Sequence, residues 1–209
     1  MFTRTLSDNT AAALATLGTS NICNGAYLAG GTALALHLGH RISVDLDFFN
    51  PLHFDSHEIV TKLKTLGEYE SDQQTEKTIN GVFNSVKFSY FYYSYKLVAE
   101  TVDFEGIKLA SLEDIAAMKL VAITGRGTKK DYVDLYFLSN RYTFEEMFGF
   151  YDKKYGVLDA NMMTLIKSLS YFFDADESEM PVMIKETLWD DVKKFFVQEV
   201  KTLSKKYFG

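Results

Sequence analysis

The chain has 209 residues, of which 47% are hydrophobic and 15% aromatic, enough to bury a sizeable core and to exclude a disordered or low-complexity protein. Its net charge of −6 argues against bulk electrostatic attraction to nucleic acid, while leaving room for a local basic site or a nucleotide held through metal. The single cysteine, Cys23, excludes an internal disulfide and a zinc-type Cys/His framework, and reads as a buried structural thiol in a reducing compartment.

"MFTRTLSDNTAAALATLG" lacks the basic region, long apolar run and small-residue cleavage site of a signal peptide. With no apolar run of about 18 residues either, the expectation is a cytoplasmic protein with no membrane partner. The same stretch predicts a first helix beginning near Ser7 or Asp8. Tyr27 to Ala29 reads as a short strand and Gly30-Gly31 as a turn. Thr32 to Leu38 reads as a helix with Thr32 as N-cap, and Val44 to Phe49 as a second strand closed by Asn50-Pro51. Ser56, followed by Ile59, Val60, Leu63 and Leu66, opens an amphipathic helix that stops at Gly67.

From Tyr69 to about Leu109 polar and aromatic residues alternate, as in "VFNSVKFSYFYYSY". Asn80-Gly81 offers a turn, so two or three antiparallel strands are expected to extend the sheet. The aromatics of Phe83 to Tyr95 read as core-packing strand residues in preference to a base-stacking platform. Beyond this the chain turns helical. Ser111 and Asp114 form a loose capping box, and helices are expected at about 159–173 and 184–207, the latter with Leu188, Val192, Phe195, Phe196 and Leu203 on a core stripe. With no Pro/Ser-rich linker, the two regions, 1–110 and 111–209, are expected to pack directly together.

Alternate residues of a strand share a face, so Asp45 and Asp47 project together, about 6 to 7 Å apart at their roots, with Ser43 on the same side. Paired carboxylates repel unless a positive charge lies between them, and a divalent ion that also grips phosphate oxygens resolves the conflict. Gly30 and Gly31 let backbone amides approach a phosphate, and the helix start at Thr32 offers a partly positive end. Gly31 precedes Asp45 by 14 residues across one helix, which brings a phosphate cradle and a metal clamp to one sheet edge. Arg41 is placed either to grip phosphate or to cap the preceding helix. His37 and His40 show no ligand pattern, and Lys129 and Lys130 form a small basic spot.

"GGTALAL" followed by "RISVDLDFF" resembles the first motif of the polymerase β-like nucleotidyltransferase superfamily, in its AbiEii/AbiGii toxin branch. "MKLVAITGRGTKKDYVDLYFL" is similar to that branch's second signature: a Lys, an Arg seven residues on, then Asp-x-x-Asp-Leu. The resemblance implies an α+β protein, with a mixed sheet flanked by helices and a C-terminal helical region. It also implies a toxin of a toxin-antitoxin or abortive-infection pair, moving NMP from an NTP to an RNA, such as tRNA, or to a protein. A cognate antitoxin is then an expected partner, and Mg²⁺ or Mn²⁺ the expected metal on Asp45 and Asp47. By the same resemblance Lys119 contacts the nucleotide phosphates and Asp131 completes the catalytic or structural network, while Asp134 anchors Arg126 or a helix end. Lys119 and Arg126, two helical turns apart, share a face if the helix runs unbroken through Gly125, and can then project toward the Asp45/Asp47 edge.

The superfamily's third carboxylate is missing from "SVKFSYF", where Ser89 or Tyr90 stands; Asp103 and Glu105 are the acidic residues nearby. A catalytically degenerate protein that binds NTP or antitoxin on the same fold is therefore the alternative reading.

Overall fold

The computed structural model describes residues 1–125 and 127–209, and they divide into two compact units, Met1–Ser111 and Leu112–Gly209. Among the described residues no helix is long and apolar enough to cross a membrane.

The first unit is built on a seven-stranded sheet. Helix α1 (Asp8–Gly18) starts where the sequence predicts, with Ser7 Oγ accepting a hydrogen bond from the Thr10 amide at 3.2 Å. Strand β1 (Tyr27–Leu28) leads into α2 (Gly30–Leu38), which starts two residues earlier than expected. Thr32 is not its cap: Gly30 takes a left-handed φ of 65°, the helix begins directly off the strand at Ala29, and the Thr32 hydroxyl is used elsewhere. Ala33, Leu34, Ala35 and Leu36 are all fully buried, as a helix apolar on every side must be. After β2 (Leu46–Asn50) comes α3 (Ser56–Leu66), capped by Asp55, whose carboxylate accepts from the amides of His57 and Glu58 at 2.8 and 3.2 Å.

Strands β3 (Tyr69–Gln74), β4 (Thr78–Phe83) and β5 (Val86–Tyr92) form an antiparallel meander, and β6 (Val102–Phe104) and β7 (Ile107–Leu109) a hairpin. The expected Asn80-Gly81 turn is not one; both residues lie inside β4. The reversal comes instead at Asn84 and Ser85, with φ of 47° and 65°, the two positive values a tight two-residue hairpin demands. Gly81 is needed for packing: a Cβ there would collide with the Glu70 carbonyl and the Tyr69 ring.

The strand order is β3-β4-β5-β2-β1-β7-β6, with β2–β5 and β1–β7 parallel and the other pairings antiparallel, so the sheet is mixed. Leu46, Phe48, Phe88 and Tyr90 are buried on one face, where Phe48 and Phe88 sit 5.7 Å apart between ring centroids. Phe83, Phe88 and Tyr90 of the aromatic run are thus core, while Phe91, Tyr92 and Tyr93 are half-buried and Tyr95 is exposed.

The second unit is helical: α4 (Leu112–Thr124), α5 (Lys129–Leu138), α6 (Phe144–Tyr155), α7 (Leu158–Ser168), α8 (Phe173–Glu177) and α9 (Trp189–Phe208). The helix expected over 159–173 is thus two, and the last helix starts at Trp189. Val192, Phe196 and Leu203 are buried as its stripe predicts, but Leu188, left outside the helix, is 64% exposed. Tyr132 centres this core, its ring in contact with Phe172, Trp189 and Phe196. The Asp114 carboxylate lies on Lys154 Nζ at 2.7 Å, both side chains fully buried.

Candidate active site

In the sheet unit, seven residues singled out from the sequence converge on the start of α2. The Ala29 amide donates to the Asp47 carbonyl at 3.0 Å, which ties the end of β1 to β2. Gly30 then passes so near that a Cβ would stand 3.2 Å from Asp47 Oδ2, and its positive φ disfavours any side chain independently. A Cβ on Gly31 would overlap the Arg41 guanidinium and lie 3.2 Å from Ser43 Oγ. Arg41 is 3% exposed and donates to the Ile42 carbonyl at 3.0 Å. Its head group therefore lies against the first turn of α2, and does not cap that helix's C-terminus, which Gly39 closes in the left-handed conformation. Thr32 Oγ1 bonds Ser43 Oγ at 2.9 Å and the Asp45 carbonyl, fixing the segment before β2 to the helix.

Asp45 and Asp47 are both half-buried while Leu46 and Phe48 are fully buried; Asp47 lies in β2, whereas Asp45 stands just before the strand expected to carry both. The helix start and the Arg41 guanidinium supply positive potential beside them. In the sheet register Asp47 is paired with Ser89 of β5, and Ser89 with Asn80 of β4. The position across from Asp47 thus carries a hydroxyl. Asp103 and Glu105 lie on the β6–β7 hairpin, beyond β1 on the other side of β2, and Asp103 pairs with Lys108 at 2.7 Å. Among the described residues no group of three or more His, Cys, Asp or Glu is placed to hold a metal. The donor set still fits Mg²⁺ or Mn²⁺, because a hard ion held by one or two carboxylates ordinarily completes its shell with water and substrate phosphates.

In the helical unit, Lys119 is 6% exposed, with Nζ at 2.8 Å from Asp131 Oδ1 and 2.6 Å from Asp134 Oδ2. Asp131 is also the third residue of α5's capping box, accepting from the Thr128 amide at 3.1 Å and the Thr128 hydroxyl at 2.7 Å. Burial pushes the Asp131 pKa up, but the Lys119 ammonium and the Thr128 donors outweigh it and hold the carboxyl below its ordinary 3.8. Arg126, and with it the expected alignment on Lys119, lies outside the described residues; α4 ends at Thr124. Asp134 reaches Lys119, and its expected contact with Arg126 lies outside the described residues. Lys129 is not a free basic spot: its Nζ donates to the carbonyls of Asp176 and Ser178 at 3.0 and 2.5 Å and lies over the Trp189 ring. His40 is fully buried, and His37 Nε2 is 2.9 Å from the Ala110 carbonyl. Sequence reasoning missed Asn80, because Asn-Gly was taken for a turn; the alternation around it in "TINGVF" was the signal that places it on a strand face.

The family model for the nucleotidyl transferase AbiEii toxin of type IV toxin-antitoxin systems matches this chain over residues 12–109 and 97–206. The chain belongs to that family. A relative of this AbiEii chain in Aquifex aeolicus (strain VF5), the uncharacterized protein aq_aa25, is 40% identical over 186 residues, covering 86% of this chain and 88% of its own. The structure of JHP933 from Helicobacter pylori is similar in fold, with a TM-score of 0.60 at 19% identity, covering 96% of the AbiEii chain and 94% of its own. A candidate nucleotidyltransferase from H. pylori matches at a TM-score of 0.59 and 18% identity, with 96% of each chain covered.

Proposed function

We propose that this AbiEii-family chain transfers NMP from a metal-bound NTP to an RNA or protein acceptor, as the toxin of a pair with a cognate antitoxin. The observation that carries the reading is the approach of Gly30 to Asp47, with Thr32 holding the Asp45 carbonyl and Arg41 and Ser43 against Gly31. The amides of the Gly30-Gly31-Thr32 turn and the Arg41 guanidinium bind phosphate oxygens, and Ser43 supports them. Asp45 and Asp47 hold Mg²⁺ or Mn²⁺, which when bound screens the triphosphate charge and makes the α-phosphorus more electrophilic. Lys119, its ammonium oriented by Asp131 and Asp134, is assigned a phosphate contact as charge develops. Arg126 is assigned a nucleotide contact on the resemblance alone.

In the reaction a hydroxyl oxygen of the acceptor bonds to the α-phosphorus. The bond from that phosphorus to the oxygen bridging the α- and β-phosphates breaks, and pyrophosphate leaves with the electron pair. The hydroxyl proton passes to solvent. Catalysis of this kind rests on positioning and charge stabilisation, which is what a rigid turn and fixed charges supply.

Incubation of the full chain with each α-labelled NTP, Mg²⁺ or Mn²⁺, and either total tRNA or total cell protein tests the proposal. Label should enter one acceptor class, and Asp47→Ala should lower transfer by about a hundredfold or more with the fold intact. Undiminished transfer by Asp47→Ala would overturn the assignment. One observation, Ser89 across from Asp47 where a third acid would complete the metal site, favours a second reading, that of a degenerate protein binding NTP or antitoxin without turnover. NTP binding without label transfer to either acceptor supports that reading.

A further inference from the structure

Three consecutive strands carry a transverse polar row: Asp47 on β2 pairs in register with Ser89 on β5, which pairs with Asn80 on β4. Neighbouring strands lie about 4.8 Å apart, so the row reaches about 10 Å outward from the Asp47 backbone. Its members share one side of the sheet, since the residues flanking each of them in the chain, Leu46 and Phe48, Phe88 and Tyr90, Ile79 and Gly81, are buried on the other. Ser89 is 4% exposed. Asn80 Nδ2 donates to Gln73 Oε1 at 3.1 Å, whereas Asn80 Oδ1 is buried without a hydrogen-bond partner. Buried polar atoms in folded proteins are nearly always satisfied, so the orphan Asn80 carbonyl oxygen, one strand from the Ser89 hydroxyl, points to a ligand.

The chemistry of the pair limits what that ligand can be. A side-chain carbonyl only accepts, and a serine hydroxyl both accepts and donates. The Asn80 carbonyl oxygen cannot donate to a phosphate oxygen, and neither group bears the charge that suits Asp45 and Asp47 to a divalent ion. Groups that donate as hydroxyls do are the complement. Position agrees with this: the Gly30-Gly31 turn leaves β1 on one side of β2, and Ser89 and Asn80 lie on the other. If the triphosphate lies over the turn, the sugar and the incoming acceptor occupy the Ser89 side, because the attacking and leaving oxygens are roughly in line.

We propose that Ser89 and Asn80 form a seat for the hydroxyls of a ribose, one and two strands out from the metal-binding Asp47. The seat rests on the nucleotidyl-transfer reading above. The shared chemistry has two sources, the ribose of the nucleotide and the 3′-terminal ribose of an RNA acceptor. Ser89 and Asn80 are positioning residues, and their contribution is a preference for ligands that carry the hydroxyls.

The test measures equilibrium binding to the full chain with Mg²⁺ present. One arm compares each of the four NTPs with its 2′,3′-dideoxy counterpart. The other compares a short RNA ending in a free 2′,3′-diol with the same RNA ending in a dideoxynucleotide. Wild type should prefer the hydroxyl-bearing ligand in one arm by about tenfold, the scale of one or two neutral hydrogen bonds. The arm that shows it identifies the source. Ser89→Ala, a small change within a strand, and Asn80→Ala should each abolish most of that preference and leave the affinity for the dideoxy ligand unchanged. Asp47→Ala should weaken both nucleotide forms alike. No preference in either arm for wild type, or a preference that survives both substitutions, overturns the seat. Equal losses for hydroxyl and dideoxy ligands in Asn80→Ala would assign that residue to the base or to folding, and also overturn it. If the seat fails while Asp47→Ala still abolishes transfer, the function stands without it; unchanged NTP binding and transfer in Asp47→Ala removes the function itself.

Discussion

The two units hold their charges in opposite ways. In the sheet unit, Asp45 and Asp47 stand half-buried at the start of a helix that only glycine can form so close to a strand. In the helical unit, Lys119 is enclosed by Asp131 and Asp134 with side-chain exposures of 8%, 12% and 0%, and a second pair, Lys154–Asp114, is sealed at 0% on both sides. A half-buried carboxylate can be altered at small cost to folding. A buried one cannot, because the charge left behind has lost both water and partner. Asp45 and Asp47 therefore report on chemistry, and Lys119, Asp131, Asp134, Lys154 and Asp114 report on stability as well.

The sharpest way to break this contrast is at Asp114. Asp114→Ala removes the carboxylate 2.7 Å from the buried Lys154 ammonium and should cost about 3–5 kcal/mol in a urea unfolding titration. A cost below about 1 kcal/mol would show that water reaches the pair. Gly30→Ala forces a side chain into a left-handed φ and toward Asp47, at about 1–2 kcal/mol of stability. Its larger effect should be on NTP affinity, measured by calorimetry, since the turn itself is displaced.

Acid sensitivity sharpens the comparison further. The folded pKa of Asp131 is depressed, so its contribution to stability is full above the ordinary carboxylate pKa and is lost as pH falls through the native value. Thermal unfolding of wild type should therefore weaken progressively below about pH 4, and Asp131→Asn should be less stable near neutrality and flatter across that range. The smallest effect is expected on the surface of α3. The Glu58–Lys62 pair, 2.6 Å apart, is 61% and 45% exposed in its side chains, and Glu58→Gln should change stability by no more than about 0.5 kcal/mol.

Much of the site was legible before the structure because it is local. Gly30, Gly31, Thr32, Arg41, Ser43, Asp45 and Asp47 fall within 18 residues, although Asp45 stands just before β2, so the expected strand alternation does not by itself set it beside Asp47. Less legible were features that one short signal could satisfy in two ways. Thr32 could cap a helix or brace Ser43, and Asn80-Gly81 could turn a hairpin or lie within a strand next to Tyr69. In each case a contact distant in the chain decided. The same holds for Asp114, whose buried partner is 40 residues away.

By itself the sequence determined the mixture of helix and strand, the apolar α2, the aromatic strands and the paired acids behind a glycine turn, because periodicity and glycine's freedom act over a few residues. Only the tertiary structure decided that Ser89 and Asn80 extend the row from Asp47, and that Lys119 is held by Asp131 and Asp134. Those juxtapositions depend on strand order and helix packing, which join residues that no local spacing relates.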